Sequence, residues 1–272
     1  MRAALIQFTS GADPRDNLAR LRPLIAEAAT EGADLLCLPE VVNCLAPRPQ
    51  LFDVATTEAE DPVLEGLQDE AAMRGIWIAA GSLAIRPYGE SDGRLANRSF
   101  LIDADGEIAA RYDKIHMFDV DVSERETWRE SEAYRPGDCA VVAPTPLATL
   151  GLTVCYDLRF PALHRTLAQA GAQVLLVPAA FTRPTGEAHW EVLLRARAIE
   201  TGCFVLAAAQ TGEHPGGRLT HGHSLAVAPW GEVMADAGRA PGVTIVDLDL
   251  GRVDEARRRI PSLRHDRVFD GP

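Results

Sequence analysis

Residues 150–161 read LGLTVCYDLRFP and place a cysteine at the junction of two predicted elements. The apolar residues of 151–155 predict a buried strand that ends in Cys155. Polar residues follow at once, and Pro161 then opens a segment that predicts a helix over 162–170, because proline suits the first turn of a helix. A thiol at such a junction either packs into the core or reacts.

Strand and helix patterns alternate on both sides of this junction. Continuous apolar runs predict buried strands at 3–8, 34–40, 76–82, 172–178, 203–209 and 242–250. N-cap signals and helical spacing predict helices after Asp13-Pro14, after Asp61-Pro62 and over 187–200. Turn residues predict two hairpins, over 98–114 and over 223–237. Because βαβ units and hairpins occur together, we expect one α/β domain over residues 1–272 with mixed sheets.

Composition excludes several classes of partner. The chain has 272 residues and a formal net charge of -12, which argues against nucleic acid and anionic membranes as partners. No apolar run has the length of a membrane span, and the N-terminal stretch lacks the pattern of a signal peptide. The five cysteines are an odd number, so we expect reduced thiols and a cytoplasmic location.

Three predicted strands end in side chains that can carry chemistry. The segment CLPE ends in Glu40, RYDKIH contains Lys114, and TVCYD contains Cys155. Ligands in α/β folds usually bind at strand ends, so these side chains could converge on one pocket. A thiol attacks a carbonyl carbon as a thiolate, and Glu40 could take its proton. The Lys114 ammonium could then stabilise an oxyanion together with the backbone N–H of Tyr156.

Other interpretations of the same residues stay open. Cys155 could be a small core residue, and Glu40 and Lys114 could be ordinary surface charges. A Cys–His hydrolase would pair Cys155 with His164 or His189. The His221 and His223 imidazoles, predicted on one strand face, are of the type that ligates metals, but the sequence offers no third ligand, and we expect no metal.

Several motifs, in this order along the chain, resemble the signature blocks of the nitrilase superfamily, the carbon–nitrogen hydrolases: LPE, RYDKIHMFDVDV, ESEAYRPGD, CYDLRFP and GHSLAVAPWGEV. The resemblance extends from the first strand to about residue 260. It implies a four-layer αββα sandwich of two mixed sheets with outer helices. It also implies a catalytic triad of Glu40, Lys114 and Cys155. A second family glutamate best matches Glu130, with three neighbours as alternatives: Glu124, Glu126 and Glu132.

The segment 178–212 is similar to the Nit branch of this superfamily. That branch implies an amidase that hydrolyses deaminated glutathione to 2-oxoglutarate and cysteinylglycine through a cysteine thioester, without a cofactor. The chain departs from many relatives at Met117 and Ala162, which could alter the pocket wall. The alternatives are an omega-amidase acting on 2-oxoglutaramate or another small amide or nitrile, and a binding homologue without activity.

Further expectations concern the substrate and the assembly. The candidate substrate-binding residues flank the cysteine or follow the next strand: Tyr156, Arg159, Phe181, Thr182 and Arg183. Arg159 and Arg183 are included because an acidic substrate needs a cation, although Arg159 could equally be a structural residue buried against a carboxylate. The helix in AHWEVLLRARAIE is apolar on one face, and in this family such helices often help to form a dimer, so we expect a homodimer or a larger homo-oligomer.

Overall fold

The computed structural model describes residues 1–89, 92–123 and 126–271. Its helices are α1 (Pro14–Thr30), α2 (Arg48–Val54), α3 (Pro62–Arg74), α4 (Pro161–Gln169), α5 (Arg183–Thr201) and α6 (Gly251–Arg259). Its short 3-10 turns are Glu58–Glu60, Glu130–Glu132, Cys155–Arg159, Pro215–Gly217 and Ser262–Arg264. The predicted caps are confirmed: the Asp13 and Asp61 carboxylates accept backbone N–H groups at the starts of α1 and α3.

The strands of the first half are β1 (Arg2–Gln7), β2 (Leu35–Cys37), β3 (Trp77–Ala79), β4 (Leu83–Ile85), β5 (Leu95–Ile102), β6 (Ile108–Asp113), β7 (Asp119–Ser123), β8 (Glu126–Arg129) and β9 (Tyr134–Arg135). The strands of the second half are β10 (Val141–Pro144), β11 (Thr149–Leu152), β12 (Val174–Leu176), β13 (Phe204–Ala207), β14 (Thr211–Glu213), β15 (Leu219–His221), β16 (Leu225–Val227), β17 (Val233–Asp236) and β18 (Gly242–Asp247).

Two large sheets are built on the same plan. The first has the order β18-β1-β2-β3-β5-β4, with β6 and β9 also paired to β5. The second has the order β10-β11-β12-β13-β16-β17. In each sheet three parallel strands lie side by side (β1, β2 and β3; β11, β12 and β13) between antiparallel neighbours. The sheets are therefore mixed, as the coexistence of βαβ units and hairpins predicts.

Alternation along β1 shows how the layers are stacked. Ala3 and Leu5 belong to the core shared with β11, β12 and β13, whereas Ala4 and Ile6 pack with apolar side chains of α1 and α3. Since successive side chains of a strand point to opposite faces, β1 contacts the second sheet on one face and helices on the other. Helices α4 and α5 cover the second sheet in the same way, with Leu167 and Leu194 in its core. The fold is the expected αββα sandwich.

The predicted boundaries near Cys155 and at α5 are wrong, and two helices are missing from the predictions. Strand β11 ends at Leu152, three residues before Cys155, because the backbone turns at the cysteine. Helix α5 begins at Arg183 rather than at 187, since Pro184 occupies its first turn and needs no hydrogen-bond partner there. Helices α2 and α6 were not predicted. The first contains Pro49 within its opening turn, and the second buries only Val253 and Ala256. None of the helices in the described ranges is long and apolar enough to cross a membrane.

Candidate active site

Cys155 is presented by a strained turn between β11 and α4. It begins the 3-10 turn Cys155–Arg159, and its φ of 50° lies in the left-handed region that non-glycine residues rarely adopt. Its backbone N–H donates to the Pro178 carbonyl oxygen at 2.9 Å, which ties the turn to the end of β12. The side chain is 7% exposed. Such backbone strain is typical of functional sites.

The Asp157 carboxylate fixes this turn to the segment that carries Lys114. One oxygen, Oδ2, accepts the Val154 N–H at 2.9 Å and the Tyr112 hydroxyl at 2.7 Å. The other, Oδ1, accepts the His116 N–H at 3.1 Å and lies 2.7 Å from the His116 ring nitrogen Nδ1. Asp157 is fully buried. It therefore connects the residue before Cys155 with residues on both sides of Lys114.

Glu40 follows β2 on an equally constrained backbone. Gly81 packs so closely beneath it that a Cβ there would lie 1.9 Å from the Pro39 carbonyl oxygen. The next residue, Val41, has a φ of 48°, a genuine outlier for a β-branched residue. The Ala180 N–H donates to Glu40 Oε2 at 2.9 Å, and the Gln210 amide donates to the Glu40 carbonyl oxygen at 2.9 Å. Both ends of the residue are thus held.

Lys114 lies between two carboxylates. Its Nζ is 2.8 Å from Glu40 Oε1, and 2.9 and 2.8 Å from the two oxygens of Glu130. Asn97 on β5 donates to both carboxylates, at 2.9 Å to Glu40 and 3.2 Å to Glu130. Sequence reasoning missed Asn97, which lies among polar residues in the middle of β5 and has no distinguishing local signal. The structure thus brings Glu40, Lys114 and Glu130 into one buried hydrogen-bonded network.

The protonation states of this network follow from its charges. Burial raises the pKa of Glu40, but the charge and hydrogen bond of Lys114, together with Cys155 and Arg218, hold that pKa below its ordinary value. Burial lowers the pKa of Lys114, but Glu130 and Glu40 raise it well above its usual range. Burial and the Glu40 charge raise the pKa of Cys155 well above that of a free thiol. The resting site therefore holds a carboxylate, an ammonium and a protonated thiol that interacts with the Glu40 carboxylate.

Glu130 is the described glutamate of its segment that contacts Lys114. Its Oε2 also accepts the Phe118 N–H at 2.6 Å. Glu126 instead accepts from the Trp128 indole, and Glu132 lies 3.5 Å from the Arg48 guanidinium. Glu124 lies outside the described residues. The geometry favours Glu130 among the alternatives that the structure describes.

The network opens into a cavity of about 420 Å³. Its wall includes Glu40, Lys114, Glu130 and Cys155, together with the predicted Tyr156, Phe181 and Thr182. Arg159 and Arg183 do not line it. Arg159 instead lies over the Tyr156 and Phe181 rings and within 3.4 Å of the His189 ring nitrogen Nδ1. The wall contains three further cations that sequence reasoning missed, Arg48, Arg129 and Arg218, and no sequence signal distinguishes them from other arginines.

The histidines form neither a Cys–His pair with Cys155 nor the metal site considered above, among the residues that the structure describes. His164 is buried with its Nδ1 3.1 Å from the Phe160 carbonyl oxygen, and neither it nor His189 lines the cavity. The prediction of His221 and His223 on one strand face is wrong: β15 ends at His221, and His223 lies beyond it with a φ of 55°. Their rings stack at 4.5 Å. Among residues 1–89, 92–123 and 126–271, no group of three or more His, Cys, Asp or Glu side chains is arranged for a metal ion.

A buried thiol beside a carboxylate and an ammonium, at the strand ends of an αββα sandwich, defines the class of thiol-dependent hydrolases. A family model described as carbon-nitrogen hydrolase matches residues 2–258. The chain belongs to the carbon–nitrogen hydrolase family and is a hydrolytic enzyme.

Individual relatives resemble the chain over nearly its whole length. It is 42% identical over 265 residues to a deaminated glutathione amidase of Yersinia enterocolitica, covering 97% of this chain and 92% of the relative. It is 42% identical over 269 residues to one of Synechocystis, covering 98% of each. The C. elegans NitFhit structure superposes with a TM-score of 0.89 at 36% identity over 98% of this chain, which spans 65% of the NitFhit chain. An amidase of Nesterenkonia superposes with a TM-score of 0.80 at 31% identity, covering 96% of this chain and 98% of that one.

Proposed function

We propose that the chain is an amidase that hydrolyses deaminated glutathione to 2-oxoglutarate and cysteinylglycine. The observation that carries the proposal is the buried cluster of Cys155, Glu40 and Lys114 opening into a cavity. The names of the relatives at 42% identity support the choice of substrate. In deaminated glutathione a keto group replaces the amino group of the glutamyl part, and the reacting bond is the amide to cysteine.

The first half of the proposed reaction forms a thioester. The Cys155 thiol passes its proton to Glu40 as sulfur attacks the amide carbon, because that thiol is protonated at rest. The Lys114 ammonium and the Tyr156 N–H stabilise the resulting oxyanion. When the intermediate collapses, the C–N bond breaks and the amine of cysteinylglycine takes the proton from Glu40. The 2-oxoglutaryl group stays on sulfur.

The second half hydrolyses the thioester. Glu40 removes a proton from water, which attacks the thioester carbon, and the C–S bond then breaks with return of the proton to sulfur. Glu40 acts as base, acid and base in turn, so it must be ionised before each step in which it accepts a proton. Lys114, Asn97 and the Ala180 N–H, which hold its two oxygens, support that state. We assign Glu130 the role of fixing Lys114, since both its oxygens contact Nζ.

Trapping the acyl group tests whether the reaction passes through a thioester on Cys155. Protein quenched during turnover of deaminated glutathione should carry a 2-oxoglutaryl adduct on the peptide containing Cys155, and hydroxylamine should release the corresponding hydroxamate. A structure of a mutant of the Nesterenkonia amidase records acrylamide added to that protein's active-site cysteine, which supports a reactive thiol in an enzyme of this fold. Turnover without adduct and without hydroxamate would instead indicate direct attack by water.

A substrate panel tests the specificity. We expect kcat/KM for deaminated glutathione to exceed that for 2-oxoglutaramate and for simple nitriles. Preference for 2-oxoglutaramate would establish the omega-amidase alternative. Binding of deaminated glutathione without turnover of any of these compounds would establish the non-catalytic alternative.

We further propose that residues 1–272 form one domain with a cytoplasmic location. Strand β1 pairs antiparallel with β18, so the two ends of the chain share one sheet, which supports a single unit. All five cysteines are free, which suits a reducing compartment. Limited proteolysis should yield no stable fragment smaller than the whole chain, and fractionation of cells should recover the protein with the cytoplasmic enzymes.

We also propose a homodimer. Exposed apolar side chains form a patch on α5 and the adjoining hairpin: Val192, Ile199, Trp230 and Val233. The hairpin adjoins α5 at this patch, since a Cβ at Gly231 would lie 2.7 Å from Ile199. Light scattering should give twice the mass of 29.4 kDa, and Ile199→Asp should reduce it to one chain. A wild-type monomer at assay concentrations would contradict the proposal.

A further inference from the structure

The cavity wall holds one guanidinium that the proposed chemistry does not use. Arg218 lies between the turn Pro215–Gly217 and β15, and it lines the cavity. Its Nη2 donates to the Ala180 carbonyl oxygen at 2.6 Å, and its guanidinium lies 4.7 Å from the centre of the Trp128 ring. Its Nε is buried and has no hydrogen-bond partner. A buried, unpartnered N–H of a cation costs free energy unless a ligand accepts from it.

Arg218 differs from the other cations of the wall in having no carboxylate partner among the described residues. Lys114 contacts Glu40 and Glu130. The other two wall arginines have acidic neighbours: Arg48 at 3.5 Å from Glu132, and Arg129 at 2.8 Å from Asp121. A guanidinium matches a carboxylate through two parallel hydrogen bonds, so the free positive charge in this cavity fits an anionic group of the substrate.

The position of Arg218 selects one end of that substrate. The Ala180 carbonyl oxygen holds the guanidinium, while the Ala180 N–H faces Glu40 and the Cys155 sulfur. Only Ala180 therefore separates the Arg218 guanidinium from the Glu40 carboxylate and the Cys155 sulfur. In a 2-oxoglutaryl group the carboxylate lies about 5 Å from the carbon under attack, whereas the glycine carboxylate of the leaving dipeptide lies about two residues, roughly 7 Å, on the other side of the amide.

We infer that Arg218 binds the carboxylate of the 2-oxo-acid end of the substrate and thereby selects acyl groups that end in a carboxylate. This inference rests on the proposed function. It also explains how an anion enters a cavity that already contains Glu40 and Glu130. Burial raises the pKa of Glu40, and Lys114 is the largest of the groups that lower it. Arg218 lowers it further, so the positive charge of Arg218 also stabilises the Glu40 carboxylate.

The test compares three substrates in three variants. The substrates are deaminated glutathione, its glycinamide, which lacks the glycine carboxylate, and 4-oxopentanoyl-cysteinylglycine, which lacks the carboxylate of the acyl end. The variants are Arg218→Met, Arg218→Lys and the control Arg252→Met. Arg252 pairs with Glu232 at the surface and does not line the cavity.

In Arg218→Met we expect kcat/KM to fall about 10- to 100-fold for deaminated glutathione and for its glycinamide, the loss typical of a charged hydrogen bond. Turnover of 4-oxopentanoyl-cysteinylglycine, slow in the wild type, should change little. Arg218→Lys should restore part of the loss, because an ammonium keeps the charge without the fork. Arg252→Met should match the wild type with every substrate.

Other outcomes overturn the inference. An equal loss with all three substrates would show that Arg218 acts on folding or on Glu40. A loss that disappears with the glycinamide would assign Arg218 to the leaving dipeptide. Unchanged kinetics in Arg218→Met, with wild-type turnover of deaminated glutathione, would refute the inference and leave the proposed function intact. A wild-type chain that does not hydrolyse deaminated glutathione would refute both.

Discussion

Replacing Asp157 by asparagine should reduce kcat, although Asp157 does not line the cavity. The carboxylate accepts from two backbone N–H groups, those of Val154 and His116, one on each oxygen. An asparagine side chain has one oxygen and one NH2 group. Whichever way it turns, it faces one of these N–H groups with another donor. The Tyr112 hydroxyl and the His116 ring can reverse their roles and accept, but a backbone N–H cannot.

The expected size follows from that single lost acceptor. A buried donor left without a partner costs about 1–3 kcal/mol, and each kcal/mol lowers Tm by about 2–4 °C in a chain of roughly this size, so Tm should fall by about 2–12 °C. The affected N–H groups adjoin Cys155 and flank Lys114, so the spacing of thiol and ammonium should change. A displacement of the order of 1 Å can cost about 100-fold in rate, and we expect kcat to fall by about 10- to 100-fold with KM little changed.

The assay follows 2-oxoglutarate release from deaminated glutathione, with Tm measured by thermal unfolding. Asp61→Asn is the control, because Asp61 is also a buried carboxylate: its Oδ1 accepts two backbone N–H groups at the start of α3, and its Oδ2 accepts the Asn43 amide, a buried donor that the variant would leave facing an NH2 group. It should lose comparable Tm and keep its kcat. If Asp157→Asn behaves like Asp61→Asn in both measurements, the carboxylate contributes only to folding, and the reasoning on positioning is wrong.

The other predictions concern the reacting groups and the buried histidine. Cys155→Ala should abolish turnover while Tm stays near that of the wild type, whereas Cys203→Ala should keep kcat; loss of chemistry in a folded Cys203→Ala would contradict the assignment. Glu40→Gln should lower kcat by about 100-fold or more, and Lys114→Arg should not preserve it, since a planar fork does not replace a compact ammonium; near-normal kcat in Glu40→Gln would favour a histidine base. Burial lowers the pKa of His164 to about 4. Because the unfolded chain binds that proton near pH 6.5, His164 should lower the free energy of unfolding by about 1.4 kcal/mol per pH unit as the pH drops from about 6.5 toward 4, and His214 and His221 should add to the fall in the same direction. In urea titrations His164→Gln should reduce this slope, and an unchanged slope would show that other groups cause it. Exhaustive chelation should leave kcat unchanged, and loss of activity that Zn²⁺ restores would show a metal requirement.

The layers of the fold were predictable because each long element carries its own signal. The apolar run of β1 and the caps of α1 and α3 depend on neighbours within a few residues, so they can be recognised without tertiary contacts. Helix α6 could not be recognised in this way. Its sequence GRVDEARRR is strongly charged, and it is held by burial of Val253, which packs in the core of the second sheet, and of Ala256. Tertiary contacts there outweigh a weak local pattern.

The site residues also differ in whether a local sequence pattern predicts them. Glu40, Lys114 and Cys155 follow strands whose ends meet at one edge of the sandwich, so residue type and position together predict them. Asn97 and Arg218 join them only through side-chain contacts between segments far apart in the chain, which no local pattern encodes.

The backbone conformation of Cys155 explains why the local sequence pattern predicts the end of this strand wrongly. Its apolar approach predicts that the strand continues through the cysteine, yet the residue has left the strand with a φ of 50°. For a residue with a Cβ this conformation costs about 1–2 kcal/mol. The hydrogen bonds from the Cys155 N–H to Pro178 and from the Val154 N–H to Asp157 offset that cost, each contributing about 1 kcal/mol. A strand that continued would carry the thiol along the sheet, whereas the strained turn keeps it against the Glu40 carboxylate. The local preference and the observed conformation therefore disagree at the residue whose position the proposed reaction requires.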